Sequence, residues 1–493
     1  MQNKHKIILA ILLLGAFFVR SYRTDALLRF YFDQGRDALI IHEMIHTPKP
    51  VLVGPTTGLA GILRGPLFYY LLLPGYLIGQ GSPIVAAIWL QIINMVGLYF
   101  IYLSAKALFS PTAGLVAVFL LGFSNHLVSL SRWLSEPSLI FTTVPIMIYG
   151  LIQIIKAPRH SGLSRIYWPI TALMLGLNLQ LEIASEIWFI PAVFLFFLFQ
   201  KKYWPSVKTL ISSVFVFLLT LIPQVLFDFR HDHIMFKAII KHFADSTNPS
   251  FIFSIPKTID RWHFYQDTFA TLLIPQNYLY LTLVLVLVLS VSLTTKKYKT
   301  SINYLLLWLL FFPLLVLSFY RGNQGNFYSY YLVGLFPIFI ILVSGSIAHL
   351  FTKKYWAIIS VIILFLFAKP NFILLKNYLN SSFSGPENIS FGNQLQAIDW
   401  VYQQAGNEPF NIDVYVPPVI PHAYDYLFLW YGPKKYDREP SKELVPLLIT
   451  LSEVDVPHPE RLQAWMDRQS GIGEINKQEN FGGIEVHRRL RLQ

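Results

Sequence analysis

Residues 83–105, PIVAAIWLQIINMVGLYFIYLSA, run for 23 positions without a charged side chain and stop at Lys106. An α-helix needs about 17–25 apolar residues to cross the hydrocarbon core of a bilayer, and runs of this kind recur along most of the chain. The whole 493-residue composition carries the same signal, with 54% hydrophobic residues, 13% charged residues and a mean hydropathy of +0.49. Soluble domains carry roughly 25% charged residues, so this chain is too poor in charge to cover a globular surface. It reads as a polytopic α-helical membrane protein.

Hydropathy read together with Lys/Arg bias predicts about eleven transmembrane helices, near 5–22, 83–105, 112–129, 136–155, 166–181, 183–200, 208–227, 274–294, 302–320, 327–350 and 355–371. MQNKHK followed by IILAILLLGAFFV has the form of a signal sequence, but no small-residue cleavage site follows it, so it reads as an uncleaved first span. Lys4 and Lys6, Lys106, Lys156 with Arg159 and Arg165, Lys201, Lys202 and Lys208, Lys296, Lys297 and Lys299, and Lys353 with Lys354 occupy every second loop. Such loops are cytoplasmic. The expected placement is a cell (inner) membrane, with the N-terminus cytoplasmic and the C-terminus extracytoplasmic. The same bias accounts for the net charge of +12, so nucleic acid is not an expected partner. The absence of cysteine excludes disulfides, iron–sulfur clusters and thiolate catalysis.

Three segments then share the outer face. The first loop, about 23–82, holds an amphipathic stretch and the partly apolar RGPLFYYLLLPGYLIG, a candidate to dip into the membrane. The second, about 228–273, opens on His231-Asp232-His233, which reads foremost as a solvated loop. The third is the chain from 372 onward. FGNQLQAIDWVYQQAG has helical periodicity, and NIDVYVPP and GGIEVHRRLRL read as strands. The expected division is therefore a transmembrane domain over 1–371 and a small soluble α/β domain over 372–493. No two halves share a hydropathy pattern, which counts against an inverted-repeat transporter.

The richest ionisable cluster is FYFDQGRDALIIHEMIH, residues 30–46. Helical from Asp33, it puts Asp33, Arg36 and Asp37 on one face. An interfacial helix with a solvated charged face has the same pattern. This segment resembles the GT-C glycosyltransferases, in particular the protein O-mannosyltransferase and aminoarabinose lipid A transferase branch, whose first outer loop opens on an acidic motif. Here that motif reads Asp33-Gln34-Gly35-Arg36. The family's Pro-Pro-Leu-Tyr-Tyr-like segment is matched by Gly65-Pro66-Leu67-Phe68-Tyr69-Tyr70 after Arg64. An Asp-x-x-Leu pattern is matched by Glu136 with Leu139 in SRWLSEPSL. Gln34 and Leu63 stand where the family has acidic residues.

The resemblance implies a GT-C-like fold and inverting transfer of a monosaccharide from a polyprenyl-phosphate sugar donor to a glycan, lipid or protein acceptor at the bilayer. It casts Asp33 as the base that takes the acceptor's proton and Glu136 as a second catalytic carboxylate. Arg36, Asp37, Arg64, Tyr69, Arg261 and Arg321 are the implied substrate contacts, the arginines facing the phosphate. Snorkelling at the interface also explains an outer-face arginine, and helix capping also explains Glu136. Glu182 and Glu186, at the turn between the fifth and sixth spans, are further candidates to line the cavity. No cofactor is identified; a divalent cation on the phosphate is compatible with the mechanism.

A rival motif is His42-Glu43-Met44-Ile45-His46, the H-E-x-x-H pattern of zinc proteases. Thr47-Pro48 ends the helix at once, and catalytic zinc needs three protein ligands. No third ligand follows in sequence, so no tightly bound zinc is expected. A membrane metalloprotease, and a transporter or flippase of lipid-linked glycans, are the alternatives to the transferase.

Overall fold

In the computed structural model the described residues are 2–492 other than 48, 158–160, 245–249, 295–299, 323–325, 382–384, 386 and 418–419. Arg159, Lys296, Lys297 and Lys299 of the charge pattern, and Pro48 after the histidine motif, lie outside them.

Helix α1 (Gln2–Ser21) leads through one turn, α2 (Thr24–Leu27), into α3 (Phe32–His46), and α4 (Leu67–Ile78) closes the first loop. There follow α5 (Pro83–Leu108), α6 (Pro111–Phe123), α7 (Asn125–Arg132), α8 (Pro137–Lys156), α9 (Gly162–Leu181), α10 (Ile183–Glu186), α11 (Phe189–Leu198) and α12 (Val207–Arg230). The second loop is itself helical, with α13 (Ile234–Ala244) and α14 (Ile255–Leu273) ahead of α15 (Tyr278–Thr294). The helical layer ends with α16 (Ser301–Phe319), a 3-10 segment Ser329–Leu335 running into α17 (Phe336–Leu350), and α18 (Trp356–Leu379).

Among the described residues six helices are long and apolar enough to cross a bilayer, or eight when each bent pair counts as one span. The bent pairs are α6 with α7, turned by 63°, and α14 with α15, turned by 90°. The hydropathy count of about eleven also takes in α1, α9 and the α10–α11 pair. Those three are diluted or short: α1 carries Lys4, Lys6 and Arg20, α9 carries Arg165, Asn178 and Gln180, and Ile183–Leu198 is brief. Burial grades the layer. The best window of the α17 span is 100% enclosed, whereas that of α12 is 17% buried and leaves Phe215, Leu218 and Ile222 uncovered. An apolar helix so exposed requires an apolar surrounding.

Two buried arginines close helix ends that would otherwise be left open. Arg20 donates to the carbonyls of Leu121 at 3.0 Å and Gly122 at 2.6 Å, at the end of α6. Arg132 donates to those of Val19 at 3.1 Å and Tyr22 at 3.0 Å, at the end of α1. The last carbonyls of a helix have no partner within it, and a guanidinium meets them with favourable charge. Each helix is thus capped by a residue of the other segment.

Helix α18 continues to Leu379, past the change of composition at 372. Lys376 and Asn371 lower the hydropathy of its last turns without breaking the helix. Asn371 is buried, and its amide donates to Leu273 O and accepts from Asn125 N, both at 2.7 Å. Those two bonds tie the α6–α7 break to the end of α14.

Beyond it come α19 (Phe391–Ala405), β1 (Phe410–Tyr415), α20 (His422–Tyr436), β2 (Leu447–Glu453), α21 (Pro459–Ser470), β3 (Gly473–Phe481) and β4 (Ile484–Arg491). The sheet order is β1-β2-β4-β3. β1 and β2 are parallel, joined by the α20 crossover, and β3 and β4 form an antiparallel hairpin. Both expected strands are present as β1 and β4, and the expected helix as α19. This α/β unit is clamped to the first loop. Gln394 Nε2 donates to Phe30 O at 2.9 Å, Phe391 N to Leu28 O at 3.2 Å, and Trp430 Nε1 to Gln80 O at 2.8 Å. Backbone packs against backbone at Gly35, where a Cβ would sit 2.2 Å from Ala423 N.

Candidate active site

The acidic motif forms the first two turns of α3. Gln34 shows why an amide stands where an acid was expected. Its Oε1 accepts from the Tyr31 backbone N–H at 3.1 Å, satisfying a donor at the helix start. Its Nε2 donates to Leu134 O at 3.2 Å, pinning α3 to the segment that carries Glu136. A carboxylate could not make the second bond.

Arg36 sits between the two aspartates of its own helix. Its Nη1 lies 2.8 Å from Asp33 Oδ1, and its Nη2 lies 2.8 Å from Asp37 Oδ1. The two carboxylates have opposite surroundings: the Asp33 side chain is 52% exposed and that of Asp37 is 4% exposed. Tyr69, on α4, donates to Asp37 Oδ1 at 3.3 Å, while Asp37 Oδ2 is buried without a partner. Burial, and then the charge of Glu136, push the Asp37 carboxyl well above the usual carboxylate range against the pull of Arg36.

Glu136 stands at the start of α8, yet its side chain caps nothing. It is buried, accepts from Ser135 Oγ at 2.9 Å on Oε2, and leaves Oε1 without a partner. Helix capping is therefore not what this carboxylate does.

Arg64 is delivered by a small antiparallel loop. Gly54 N donates to Arg64 O at 2.9 Å, and Arg64 N to Pro55 O at 3.0 Å. The loop abuts the end of α9, where Gly65 N donates to Gln180 O at 3.1 Å and a Cβ on Gly65 would lie 2.4 Å from Gln180 Cγ. This brings Arg64 Nη2 to 2.7 Å from Glu182 Oε2. Burial works against the Arg64 charge, but Glu182 and then Glu136 more than offset it, so its proton is held above the ordinary arginine value. Glu136 thus acts on both Asp37 and Arg64. The first loop, the α7–α8 junction and the α9–α10 turn converge there.

The other two predicted arginines lie together elsewhere. Arg261 on α14 and Arg321 after α16 line one cavity of about 370 Å³ with Lys257, Asp260 and Tyr320. Arg261 donates to Tyr320 O at 3.1 Å, and its guanidinium carbon is 3.6 Å from the Phe327 ring centre, a cation–π contact. Lys257 was not singled out from sequence; its signal was the spacing of one helical turn from Arg261. Glu182 and Glu186 do not act as one face. Glu182 meets Arg64 and accepts from Ala184 N at 3.2 Å. Glu186 is buried against Gly334 with Oε2 unpartnered.

The remaining motifs have structural readings. His46 Nδ1 lies 2.8 Å from the His42 carbonyl, so the pair is engaged with its own helix. Among the described residues no group of three or more His, Asp or Glu side chains is placed to hold a metal ion. His231, Asp232 and His233 form the exposed turn from α12 into α13, with Asp232 and His233 in the left-handed region.

Residues 63–227, which include Arg64, Tyr69, Glu136 and Glu182, match the family model for dolichyl-phosphate-mannose-protein mannosyltransferases. No curated protein sequence matches the chain. Among solved structures, ArnT from Cupriavidus metallidurans bound to undecaprenyl phosphate superposes with a TM-score of 0.65 over 99% of this chain and 98% of that one, at 11% identity. The Archaeoglobus fulgidus oligosaccharyltransferase in its apo form superposes with a TM-score of 0.54 over 90% of this chain and 62% of that one, at 12% identity. A complex of the same archaeal enzyme, AglB, with an inhibitory peptide and a dolichol-phosphate gives 0.51 at 13% identity, with the same coverage. The chain therefore shares its fold with ArnT and with the archaeal oligosaccharyltransferase.

Proposed function

We propose that this protein transfers a monosaccharide, a hexosyl or pentosyl unit, from a polyprenyl-phosphate donor to an acceptor hydroxyl on the extracytoplasmic face of a cell (inner) membrane. The observation that carries this reading is the meeting of the acidic helix α3 and the Arg64 loop on Glu136. One place then offers proton-accepting carboxylates and a guanidinium for phosphate. Asp33, the more exposed carboxylate, takes the acceptor's proton as the hydroxyl oxygen attacks the anomeric carbon. The bond from that carbon to the phosphate breaks, and Arg64 stabilises the leaving phosphate.

Two further features support a lipid donor. An apolar cavity of about 610 Å³, lined among others by Trp262, Phe269, Leu285, Leu310 and Phe339, lies between α14, α15, α16 and α17 and suits an isoprenoid chain. The similar ArnT structure holds undecaprenyl phosphate, and the AglB complex holds a dolichol-phosphate. In the same reading there are eleven spans, residues 1–371 form the membrane catalytic domain, and residues 372–493 lie outside.

The test is release of free undecaprenyl phosphate from a panel of radiolabelled undecaprenyl-phosphate sugars by the purified, membrane-reconstituted protein. Sugar-dependent release with transfer to acceptor supports the reading. Translocation of intact donor without release would replace it with a flippase.

A further inference from the structure

We propose that helix α13 lies along the lipid surface with anionic headgroups on Lys237 and Lys241, and from that seat braces the loop that carries Arg64. The helix has two opposed sides. Ala238 faces the first loop, where a Cβ on Gly61, at φ +81°, would lie 2.9 Å from Ala238 Cβ. Phe236 and Ile240 are each two residues from Ala238, so they point about 160° away from it. Phe236 is 59% exposed, Ile240 is 52% exposed, and Ile239 between them on that side is exposed as well. The described residues leave this apolar side uncovered.

What covers it follows from where the helix begins. The preceding helix, α12, crosses the bilayer with its apolar side chains open to lipid, down to Phe229 in its last turn. It ends on the exposed Arg230, and a long cation at the end of a spanning helix reaches the membrane surface. Asp232 and His233 then turn the chain in the left-handed region. Asp228 Oδ1 accepts from Met235 N at 2.7 Å, which closes the start of α13 and fixes the corner. Helix α13 thus starts at the membrane surface, and its uncovered side continues the lipid-facing side of α12. An amphipathic helix so placed buries its apolar side at the headgroup boundary.

Charge selects the headgroup. Lys237 and Lys241 are exposed and one turn apart on the same face. Lys237 is only about 60° round the helix from Ile240, so its stem can lie on the apolar edge while its ammonium meets a headgroup. Helix α13 contains no acidic residue, and at the corner Asp228 is engaged by the helix start, leaving Asp232 beside Arg230. The same corner holds the loop that carries Arg64. Gln224 Nε2 on α12 donates to Leu63 O at 3.3 Å, Ala238 on α13 meets Gly61, and Thr56 and Leu63 are bridged across that loop. The loop therefore rests on α13, and α13 on lipid.

The chain has no cysteine, so a single introduced cysteine carries a spin label at one known place. Labels at Phe236→Cys, Ile240→Cys and Ala60→Cys are read in the full-length protein, in nanodiscs of phosphatidylcholine alone or mixed with phosphatidylglycerol. In the mixed discs the labels at 236 and 240 should be open to oxygen and shielded from a water-soluble nickel complex. Without phosphatidylglycerol, or with Lys237→Gln and Lys241→Gln added, nickel access at 240 should rise at least about fivefold, the weight of one lysine at an anionic surface. The label at Ala60→Cys should lose mobility when phosphatidylglycerol is added, and should not respond in the lysine variant. Nickel access at 240 in the mixed discs would show that α13 is not on lipid. Shielding from oxygen and nickel alike, with dipolar broadening between labels, would make a second copy of the chain the cover and overturn the proposal. Equal shielding in both discs would overturn the headgroup contact, and an unresponsive label at 60 the bracing. No readout uses a substrate, so none of these outcomes bears on the transferase reading.

Discussion

Arg64 Nη2 lies 2.7 Å from Glu182 Oε2, an ion pair between residues 118 positions apart in sequence. The Glu182 side chain is 2% exposed and that of Arg64 14%, so neither charge has water to fall back on. Breaking a buried pair from one side costs about 3–5 kcal/mol because the other charge is stranded. Arg64→Ala should therefore lower thermal stability, weaken undecaprenyl phosphate binding and slow turnover together. Glu182→Gln should lower stability while retaining more of the binding. The double variant Arg64→Met, Glu182→Met should recover stability but not binding. Single variants that unfold at the wild-type temperature would contradict the buried pair.

Asp33 tests the proton transfer. Asn has nearly the same shape but accepts no proton at neutral pH, so Asp33→Asn should slow turnover by about 10²–10⁴-fold. Donor binding should change little. A radiolabelled donor assay beside a binding assay separates the two, and near wild-type turnover in folded protein would remove Asp33 from the role of base.

Gly35 reports on how the C-terminal unit holds α3. A Cβ there would meet backbone atoms of His422 and Ala423 at 2.3 and 2.2 Å, and backbone cannot rotate aside as a side chain can. Gly35→Ala should cost about 1–3 kcal/mol, the usual range for overpacking, and should reduce turnover by displacing Asp33, Arg36 and Asp37. Unchanged unfolding temperature and turnover would mean that α3 and α20 separate freely.

Glu453, at the end of β2, gives the α/β unit a pH signature. Burial pushes its carboxyl up to about 7, against hydrogen bonds from Tyr424 and Gln394. In the unfolded chain a glutamate titrates near about 4.3. Below that value both states are protonated and the contribution to stability is whole. As pH rises through the interval the unfolded chain loses its proton first, so stability falls until about pH 7 and then levels off. Glu453→Gln lacks this loss, so its unfolding temperature should gain on the wild type between about pH 5 and pH 8. A gap that stays constant or closes with rising pH would show that the Glu453 carboxyl is not held in a buried site.

Patterns repeated over one or two turns were readable in advance. The alternation in NIDVYVPP and GGIEVHRRLRL marked β1 and β4, and the i, i+3, i+4 spacing put Asp33, Arg36 and Asp37 on one helical face. Strand β3, GEINKQENF, escaped because it is mostly polar and exposed and is held by its hairpin partner rather than by a buried face of its own. Helix α20 escaped because its apolar residues pack on two sides, against α3 and against α19, which erases any single stripe.

The sequence alone determined that the chain belongs in a bilayer, since charge-free runs of helical length have no other favourable solvent, and it singled out the acidic motif. Only the tertiary structure decided which charges meet. Arg64 and Glu182 lie on segments far apart in the chain, and their approach depends on a loop pinned by Gln180. It also decided that Asp33 and Asp37, four residues apart on one helix, differ in kind. Burial is set by what α4, the α7–α8 junction and α20 place over each side of that helix, and no local pattern encodes it.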